Sequence, residues 1–502
     1  MNTIAPHHAM PALPPHTPQA EPAAVPGKGQ HQPFPSVRTP SQAQPELPNF
    51  SSQDKQLTLV DDGNLRVRQS LSEVPLAPGK SIIVSDALTF ETGNSADTIH
   101  LSNHPDGRLK VEVNGKPYLF NVRDPKDSAP TSLHIKSHGG DDKIKIDPGV
   151  MLPVKVEAGD GDDDVQAGGG PTQLFGGKGN DTLRLGSGNG YVEGNEGDDT
   201  IVGGTGSNVM YGNNGNDRLY AGAGAAQKQS YLDGGSGNDQ LYAGDGHTVI
   251  NGGQGDDVLV GHDRTTFYSG KGHDTIWSNR PDNRIYAKPT DRLLGGSDAT
   301  ITPVTPSNAG KEGFQAQGTQ AFKQRVEDDL ELLRGSPVGQ QMLAGMDAVA
   351  RQNGAPLPIV EGSSSHFDDH LSPEQTKQSH IKEGAAGRRI NSGTLQYNPF
   401  DIYADPNVPA APIVTLQHES AHAWNAGTGT FFSGHTQEQV GANPPVDTPN
   451  VERQAVGLPT TAAPFDFDND PLTPPTSTNP KPFTENGLRE EMGYGPREHY
   501  AD

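Results

Sequence analysis

The sequence contains no cysteine and few hydrophobic or aromatic residues. Of its 502 residues, 31% are hydrophobic and 6% are aromatic, while glycine (62 residues) and proline (44 residues) are abundant. Without cysteine, disulfide scaffolds, thiolate metal sites and cysteine nucleophiles are excluded, so any metal must be held by His, Asp or Glu. The low hydrophobic content argues against one large conventional core along the whole chain.

Basic charge is scarce, and long apolar runs are missing. The 38 basic residues against 62 acidic residues give a net charge of −24, which repels nucleic-acid phosphates and anionic lipids, so neither is an expected partner. No membrane-length apolar run occurs, and the start MNTIAPHHAM lacks the basic and apolar regions of a secretory signal peptide. We therefore expect no membrane span and no Sec-type export, which leaves other export routes open.

Residues 1–54 are rich in Pro, Ala, Gln, His and Ser and show no apolar periodicity. Such a composition cannot bury enough apolar surface to fold, so this segment is predicted to be disordered. It is either a plain tail or an unfolded export signal of the kind that bacterial needle-type secretion systems use.

The motif His418-Glu419-Ser420-Ala421-His422 lies in the stretch IVTLQHESAHAWN. Proline precedes this stretch and glycines follow it, which predicts a helix. Residues four apart share one helix face, so His418 and His422 converge on one point with Glu419 beside it. This H-E-x-x-H pattern is typical of zinc peptidases, in which two imidazoles bind zinc and the glutamate is the catalytic base. We predict zinc as a cofactor and Glu419 as the catalytic residue.

A peptidase zinc site needs a third protein ligand. The metzincin pattern H-E-x-x-H-x-x-G-x-x-H is excluded, because Asn425 and Thr428 stand at its glycine and third-histidine positions. The candidates further along the chain are His435, Glu438, Asp447 and Glu452. Glu452 is favoured because the stretch VERQA resembles the third-ligand helix of gluzincins, with Asp447 and His435 as alternatives.

A repeat runs through residues 158–278, with copies such as GNEGDDTI, GNNGNDRL and GGQGDDVL. Two columns of apolar residues accompany the repeat and predict the interior of a stacked parallel β-roll. The repeat resembles the RTX nonapeptide G-G-x-G-x-D-x-U-x, whose loops bind calcium. One good loop occurs per coil, so these loops should stack along one edge. The aspartates that close the loops are Asp163, Asp181, Asp199, Asp217, Asp239, Asp257 and Asp274.

Two interpretations of these loops remain open. In the first, a row of calcium ions is bound between stacked aspartates and loop carbonyls, with Asp163, Asp181, Asp199, Asp217, Asp239 and Asp257 as candidate ligands. In the second, hydrogen-bonded Asn/Asp ladders and apolar packing hold the roll without any metal. Calcium is therefore a candidate second cofactor.

The fold class predicted is a multidomain chain with an RTX-like β-solenoid followed by an α+β zincin-like metallopeptidase domain. Weaker copies of the repeat, at 90–99 and 135–144, extend the roll towards the N-terminus, around an insertion that contains a hairpin at Asn114-Gly115. Helical spacing predicts two helices that end near Gly335 and Gly354. The predicted regions are a roll at 55–280 with its insertion near 105–132, a cap and linker at 281–316, and a peptidase domain at 317–502.

The last third of the chain resembles the NleD-type effector zinc metallopeptidases, which bacteria inject into host cells. The resemblance is carried by DLELLRGSPVGQQML, by the helix with His418 and His422, by ERQAVGLP and by the ending ENGLREEMGYGPREHY. It implies a secreted endopeptidase that reaches the host cytoplasm by a type III-like system and cleaves host proteins, which are signalling kinases for some members.

Two questions stay open at this point. Tyr500 and Arg497 are candidates for stabilising the transition state, and the alternative is that they only close the domain. The competing function for the whole chain is an RTX-type calcium-binding adhesion or interaction protein with an inactive zincin-like domain.

Overall fold

The computed structural model describes residues 53–77, 80–124, 129–295, 299–400, 410–441 and 444–500. The segment 1–54, predicted to be disordered, lies outside these ranges except for its last two residues. Within the described ranges, no helix has both the length and the apolar character needed to cross a bilayer.

The roll predicted at 55–280 is a solenoid of two facing sheets over residues 133–303, whereas the strands at 53–61, 66–77 and 80–91 pair antiparallel with one another. Each coil adds one strand to each sheet, and equivalent strands of successive coils pair in parallel. The 13-stranded sheet consists, in spatial order, of β1 (Gln53–Asp61), β2 (Arg66–Ala77), β3 (Lys80–Glu91), β7 (Thr131–Lys136), β9 (Val154–Asp160), β11 (Thr172–Lys178), β13 (Gly190–Glu196), β15 (Asn208–Asn214), β17 (Gln229–Ser236), β19 (His247–Asn251), β21 (Arg264–Tyr268), β23 (Arg284–Ala287) and β25 (Thr300–Pro303). The 12-stranded sheet consists of β24 (Arg292–Leu294), β22 (Thr275–Trp277), β20 (Val258–Val260), β18 (Gln240–Tyr242), β16 (Arg218–Tyr220), β14 (Thr200–Val202), β12 (Thr182–Arg184), β10 (Asp164–Gln166), β8 (Lys143–Ile146), β4 (Thr98–Asn103), β5 (Leu109–Val113) and β6 (Lys116–Phe120).

The interior of the solenoid is the pair of apolar columns that the repeat predicts. Because side chains alternate across a strand, each short strand points one residue inwards, where it stacks on its counterpart in the next coil. The members of both columns are fully buried: Val165, Leu183, Ile201, Leu219, Leu241, Leu259 and Ile276 on one sheet, and Val156, Leu174, Val192, Met210, Leu232, Ile250 and Phe267 on the other.

The two upstream copies of the repeat keep the predicted register. Ile144 pairs with Val165, and Ile99 pairs in turn with Ile144. The insertion forms the antiparallel strands β5 and β6, joined at Asn114 (φ 52°) and Gly115 (φ 78°), which is the two-residue hairpin expected for Asn-Gly.

The solenoid extends further than the loop pattern does. The sequence predicts a cap and linker at 281–316, but β23, β24 and β25 continue both sheets as far as Pro303. Ile285 continues the inner column beside Phe267. Parallel pairing needs only extended backbone and an apolar inward residue. The paired strands therefore continue beyond the last Gly-Asp loop, which is the feature that identifies the repeat in the sequence.

The C-terminal region combines helices with a small mixed sheet and a hairpin. Thr319 and Ser336 cap the first two helices through their side chains, as expected of N-cap residues, and Gly429 (φ 72°) ends the motif helix. The elements are β26 (Phe314–Gln317), α1 (Gln320–Gly335), α2 (Pro337–Asn353), β27 (Leu357–Glu361), β28 (His366–Asp368), α3 (Pro373–Thr376), β29 (Thr394–Tyr397), α4 (Pro412–Thr428), β30 (His435–Glu438), β31 (Val446–Pro449), α5 (Asn450–Val456) and α6 (Glu485–Met492), with 3-10 turns at Lys377–Ser379 and Lys481–Phe483.

This region packs on the outer face of the 13-stranded sheet. A row of tyrosines on that face is fully buried: Tyr191, Tyr211, Tyr231 and Tyr268. On α1, Arg325 lies over the ring of Tyr211 and donates to Asp329, which also accepts from the hydroxyl of Tyr397 at 2.9 Å. The tyrosines flank the inner columns in the sequence, but nothing in the repeat signals that their face is covered.

Candidate metal centre and peptidase site

The motif helix α4 holds both histidines of the candidate site on one face. The Nε2 atoms of His418 and His422 lie 3.1 Å apart. Helix α5 brings Glu452 to them, with its Oε2 at 3.1 Å from His422 Nε2 and 3.5 Å from His418 Nε2. His418 and His422 are 7% and 9% exposed. The structure therefore places the favoured third ligand beside the two predicted ones.

The geometry of these three atoms fits a zinc ion. Zinc bonds of about 2.0 to 2.2 Å in a tetrahedron separate neighbouring ligand atoms by about 3.3 to 3.6 Å, close to the observed spacing. Among the described residues, His418, His422 and Glu452 form the one His/Asp/Glu group that is arranged to hold a metal. Asp447 instead bonds Gln437 on the exposed hairpin, and His435 is exposed there.

Glu485 determines which nitrogen of His418 is available to a metal. Its Oε2 lies 3.0 Å from His418 Nδ1 at the start of α6, so Nδ1–H donates and Nε2 keeps its lone pair. Burial would raise the pKa of Glu485, but His418, followed by Arg497 and Arg489, lowers this pKa to about 2. Sequence reasoning missed Glu485, because 67 residues separate it from His418 and no motif connects the two.

Glu419 is held beside the metal ligands and is not one of them. Its Oε2 accepts a hydrogen bond of 2.8 Å from the backbone N–H of Phe367 on β28. Glu419 is 9% exposed. Its role as general base stays a prediction, for which the carboxylate must lie close to the reacting water without occupying the metal.

Tyr500 and Arg497 both lie at the site, but they contact different residues. The ring of Tyr500 stacks near that of His418, with centroids 6.3 Å apart, and burial followed by the charge of Glu452 raises the pKa of its hydroxyl. Arg497 donates to Glu485 at 3.3 Å and to the carbonyl of Tyr500 at 2.6 Å. Arg497 therefore contacts the site indirectly, through Glu485 and the backbone of Tyr500, whereas the ring of Tyr500 lies beside His418.

Glu438, one of the four candidate third ligands, has a structural role instead. Its buried carboxylate accepts from the backbone N–H of Tyr500 at 3.0 Å and pairs with Arg453. It thereby fixes the chain end that carries Tyr500 against the helix that carries Glu452.

Comparison with protein families agrees with this geometry. A family model described as effector protein, peptidase M91, matches residues 310–500, which include the three candidate ligands, Glu419 and Tyr500. Residues 310–500 are a peptidase M91 effector domain. A second model, described as RTX calcium-binding nonapeptide repeat, matches residues 157–192, 193–226 and 231–263. No curated protein and no solved structure matches the chain.

The M91 domain is thus preceded by RTX repeats, as the motifs predict. Both families are typical of secreted bacterial proteins.

The repeat aspartates form a continuous ladder inside the turns. The Oδ1 of each accepts the backbone N–H of its counterpart one coil earlier, at 2.8 Å for Asp181 and 2.7 Å for Asp199. The other oxygen, Oδ2, is buried and accepts no hydrogen bond from the described residues in Asp163, Asp181, Asp199, Asp217, Asp239 and Asp257. Burial raises the pKa of these groups, to about 7 for Asp181 and about 8 for Asp199.

From Asp181 to Asp257, the unpaired oxygens face glycine backbone. A Cβ on Gly176 would lie 2.1 Å from Asp181 Oδ2 and 2.8 Å from the carbonyl oxygen of Gly194 in the next coil. The same arrangement recurs at Gly194, Gly212, Gly234 and Gly252. A carboxylate oxygen and a carbonyl oxygen therefore border the same glycine in each of these turns, which suits a calcium ion, a cation that takes only oxygen ligands. The ladder gives Oδ1 of each aspartate a hydrogen-bond donor and leaves Oδ2 without one among the described residues.

Proposed function

We propose that this protein is a zinc-dependent endopeptidase, delivered as a secreted effector, that cleaves host proteins. The observation that carries the proposal is the convergence of His418, His422 and Glu452 at 3.1 to 3.5 Å inside an M91 domain. These residues would hold the zinc ion. When bound, zinc supplies a Lewis acid that polarises the scissile carbonyl and lowers the pKa of a water molecule.

The chain's own residues carry the proton and the developing charge. Glu419 accepts a proton from the attacking water and delivers it to the leaving amine. Phe367 N–H holds one oxygen of Glu419 in place, so the carboxylate keeps its orientation during the transfer. Tyr500, kept protonated by burial, donates its hydroxyl hydrogen to the carbonyl oxygen as negative charge develops there. Arg497 positions this tyrosine through its carbonyl.

A protein substrate fits the strand beside Glu419. Strand β28 pairs with β29 on one side and, within the part of the chain that is described, with no strand on the other. The N–H of Phe367 points from that open side to Glu419. An extended peptide that adds to this edge by main-chain hydrogen bonds would bring its own carbonyls to the base.

Calcium is proposed as the second cofactor, in the row of turns closed by the repeat aspartates. Its ligands would be the unpaired Oδ2 atoms of Asp163, Asp181, Asp199, Asp217, Asp239 and Asp257, together with the backbone carbonyls that border the same glycines from Asp181 onwards. Delivery to the host cytoplasm by a type III-like system, and signalling kinases as substrates, are the finer parts of the proposal and rest on the resemblance of the motifs.

The test combines metal analysis with a search for new protein termini. Purified protein is assayed for zinc by elemental analysis, and host-cell proteomes exposed to wild type or Glu419→Gln are compared for new peptide ends. The proposal expects about one zinc per chain in both proteins and new termini with wild type alone. Wild type that holds no zinc and creates no termini would leave the competing function, a calcium-binding interaction protein with an inactive domain.

A further inference from the structure

The aspartate ladder differs at its C-terminal end from the coils before it. Asp274 continues the ladder by accepting the N–H of Asp257, but its Oδ2 accepts a hydrogen bond of 2.7 Å from Nζ of Lys288. The same ammonium donates to the carbonyl of Gly270 at 2.6 Å and lies 3.1 Å from Asp291 Oδ1. The side chain of Lys288 is 11% exposed, and those of both aspartates are fully buried.

This set of oxygens resembles the set left without a donor upstream. In the earlier coils, Oδ2 of the ladder aspartate and a glycine carbonyl border the same glycine, as Asp239 Oδ2 and the Gly252 carbonyl do at Gly234. In the coil of Asp274, Ser269 stands in the glycine position, and Lys288 Nζ also donates to its hydroxyl at 3.1 Å. A positive charge on a side chain therefore sits among carboxylate, carbonyl and hydroxyl oxygens inside the turn.

A second buried lysine, at the opposite edge of the roll, is also surrounded by oxygen atoms. Lys228 is 3% exposed, and within the described part of the chain its ammonium donates only to backbone carbonyls, at 2.5 to 3.2 Å. The carbonyls belong to Gly204, Ala221, Gly222 and Ala223. An ammonium inside an oxygen-lined turn is thus an arrangement that this solenoid can build.

We propose that Lys288 is a built-in cation that takes the place of a calcium ion in the turn closed by Asp274 and so ends the calcium row. The inference rests on the proposed calcium sites upstream. Its consequence is that the coil closed by Lys288 folds without calcium, whereas the coils before it depend on the ion.

That coil supports the M91 domain. Tyr286, two residues before Lys288, donates its hydroxyl hydrogen to the carbonyl of Glu491 on α6 at 3.2 Å, and Arg284 contacts the same turn. Helix α6 begins with Glu485, the partner of His418. A turn that needs no metal therefore lies under the helix that orients a zinc ligand.

Two substitutions of Lys288 separate charge from space. Lys288→Ala removes the ammonium and leaves room for an ion, while Lys288→Met removes the charge and keeps the volume. Lys178→Met, at an exposed lysine on β11, is the matched control. Calcium bound per full-length chain is measured by equilibrium dialysis with radioactive calcium chloride, and melting temperature is measured in calcium-free and calcium-saturated buffer.

We expect Lys288→Ala to bind one calcium ion more than wild type. In calcium-free buffer, its melting temperature should lie below that of wild type in the same buffer, and in calcium-saturated buffer this difference should shrink. The melting temperature of Lys288→Met should lie below that of wild type in both buffers. Equal calcium in wild type and Lys288→Ala, or an alanine variant that calcium does not restore, overturns the inference while the upstream row stands. Wild type that binds no calcium would instead overturn the proposed row itself.

Discussion

Glu485 accepts a hydrogen bond from Nδ1 of His418 at 3.0 Å and so fixes the imidazole with Nε2 towards Glu452. The pair joins two helices that are distant in the sequence. It also links the metal centre to the roll, because Glu491 at the other end of α6 accepts a hydrogen bond from Tyr268 at 3.0 Å.

Replacement of Glu485 by Gln should weaken zinc binding without unfolding the domain. The amide can still accept from Nδ1–H, but it lacks the charge that makes the imidazole a stronger ligand, so we expect zinc affinity or activity to fall about 10- to 100-fold. Competition with a chromogenic chelator measures the affinity. Glu490→Gln is the control, since Glu490 lies on the same helix but is 63% exposed and pairs with Lys481. Equal affinities in both variants would contradict the role of Glu485.

Replacement of Glu419 by Gln should remove turnover and leave zinc in place. The glutamine oxygen can still accept the N–H of Phe367, so the fold is kept, but the side chain no longer takes a proton. Loss of a general base costs about 100- to 10,000-fold in rate. Cleavage kinetics and zinc content are measured on the same sample. A variant that keeps its activity would show that another group is the base.

The sequence predicted the parts of this structure that depend on local spacing. The stacked coils follow from the repeat, and the facing pair His418 and His422 follows from helical geometry. The buried Tyr211 and the partner Glu485 could not be predicted, because each depends on packing between segments far apart in the chain. Glu452 lies between these cases, since a short motif suggested it but only the fold brings α5 to α4.

Glu452→Ala should release zinc, whereas Asp447→Ala should not. Glu452 completes the proposed ligand set at 3.1 Å from His422 Nε2, while Asp447 lies on the exposed hairpin and pairs with Gln437. With two protein ligands left, zinc binding should weaken strongly. Elemental analysis after dialysis gives the zinc content of both variants. Zinc lost from the Asp447 variant and kept by the other would reassign the third ligand.

The contact between roll and peptidase domain should weaken in acid through His247. This residue is 1% exposed and its ring packs against that of Tyr494. Burial, followed by the charges of Arg264 and Arg284, lowers its pKa from 6.5 to about 3. In the unfolded chain this histidine becomes protonated below about pH 6.5, whereas in the folded chain it stays neutral down to about pH 3. Its contribution to the free energy of unfolding is therefore full above pH 6.5 and is lost as the pH falls towards 3.

Substitution isolates this contribution from that of other groups. His247→Gln removes the titration and keeps an amide that can bond Gln229, the present partner at 3.1 Å. Its free energy of unfolding should fall less steeply than that of wild type between pH 6.5 and 4. His262→Gln, at a histidine whose side chain is 57% exposed, is the control and should keep the wild-type slope. Identical slopes for all three proteins would exclude His247 as the acid-sensitive group.

Asp199→Asn should change stability in opposite directions with and without calcium. The amide oxygen can keep the ladder bond from the N–H of Asp181, but the unpaired negative charge inside the turn disappears. Above pH 8, where the wild-type carboxyl with its pKa of about 8 is ionised, an uncompensated buried charge is costly, so the calcium-free variant should melt at a higher temperature there than calcium-free wild type. The same loss of charge removes a calcium ligand, so added calcium should raise its melting temperature less. Asp198→Asn is the control, since Asp198 precedes Asp199 in the sequence, is exposed and accepts a hydrogen bond from the backbone N–H of Asn216. Scanning calorimetry at several calcium concentrations measures all three proteins, and a variant that gains as much from calcium as wild type would mean that Asp199 does not bind the ion.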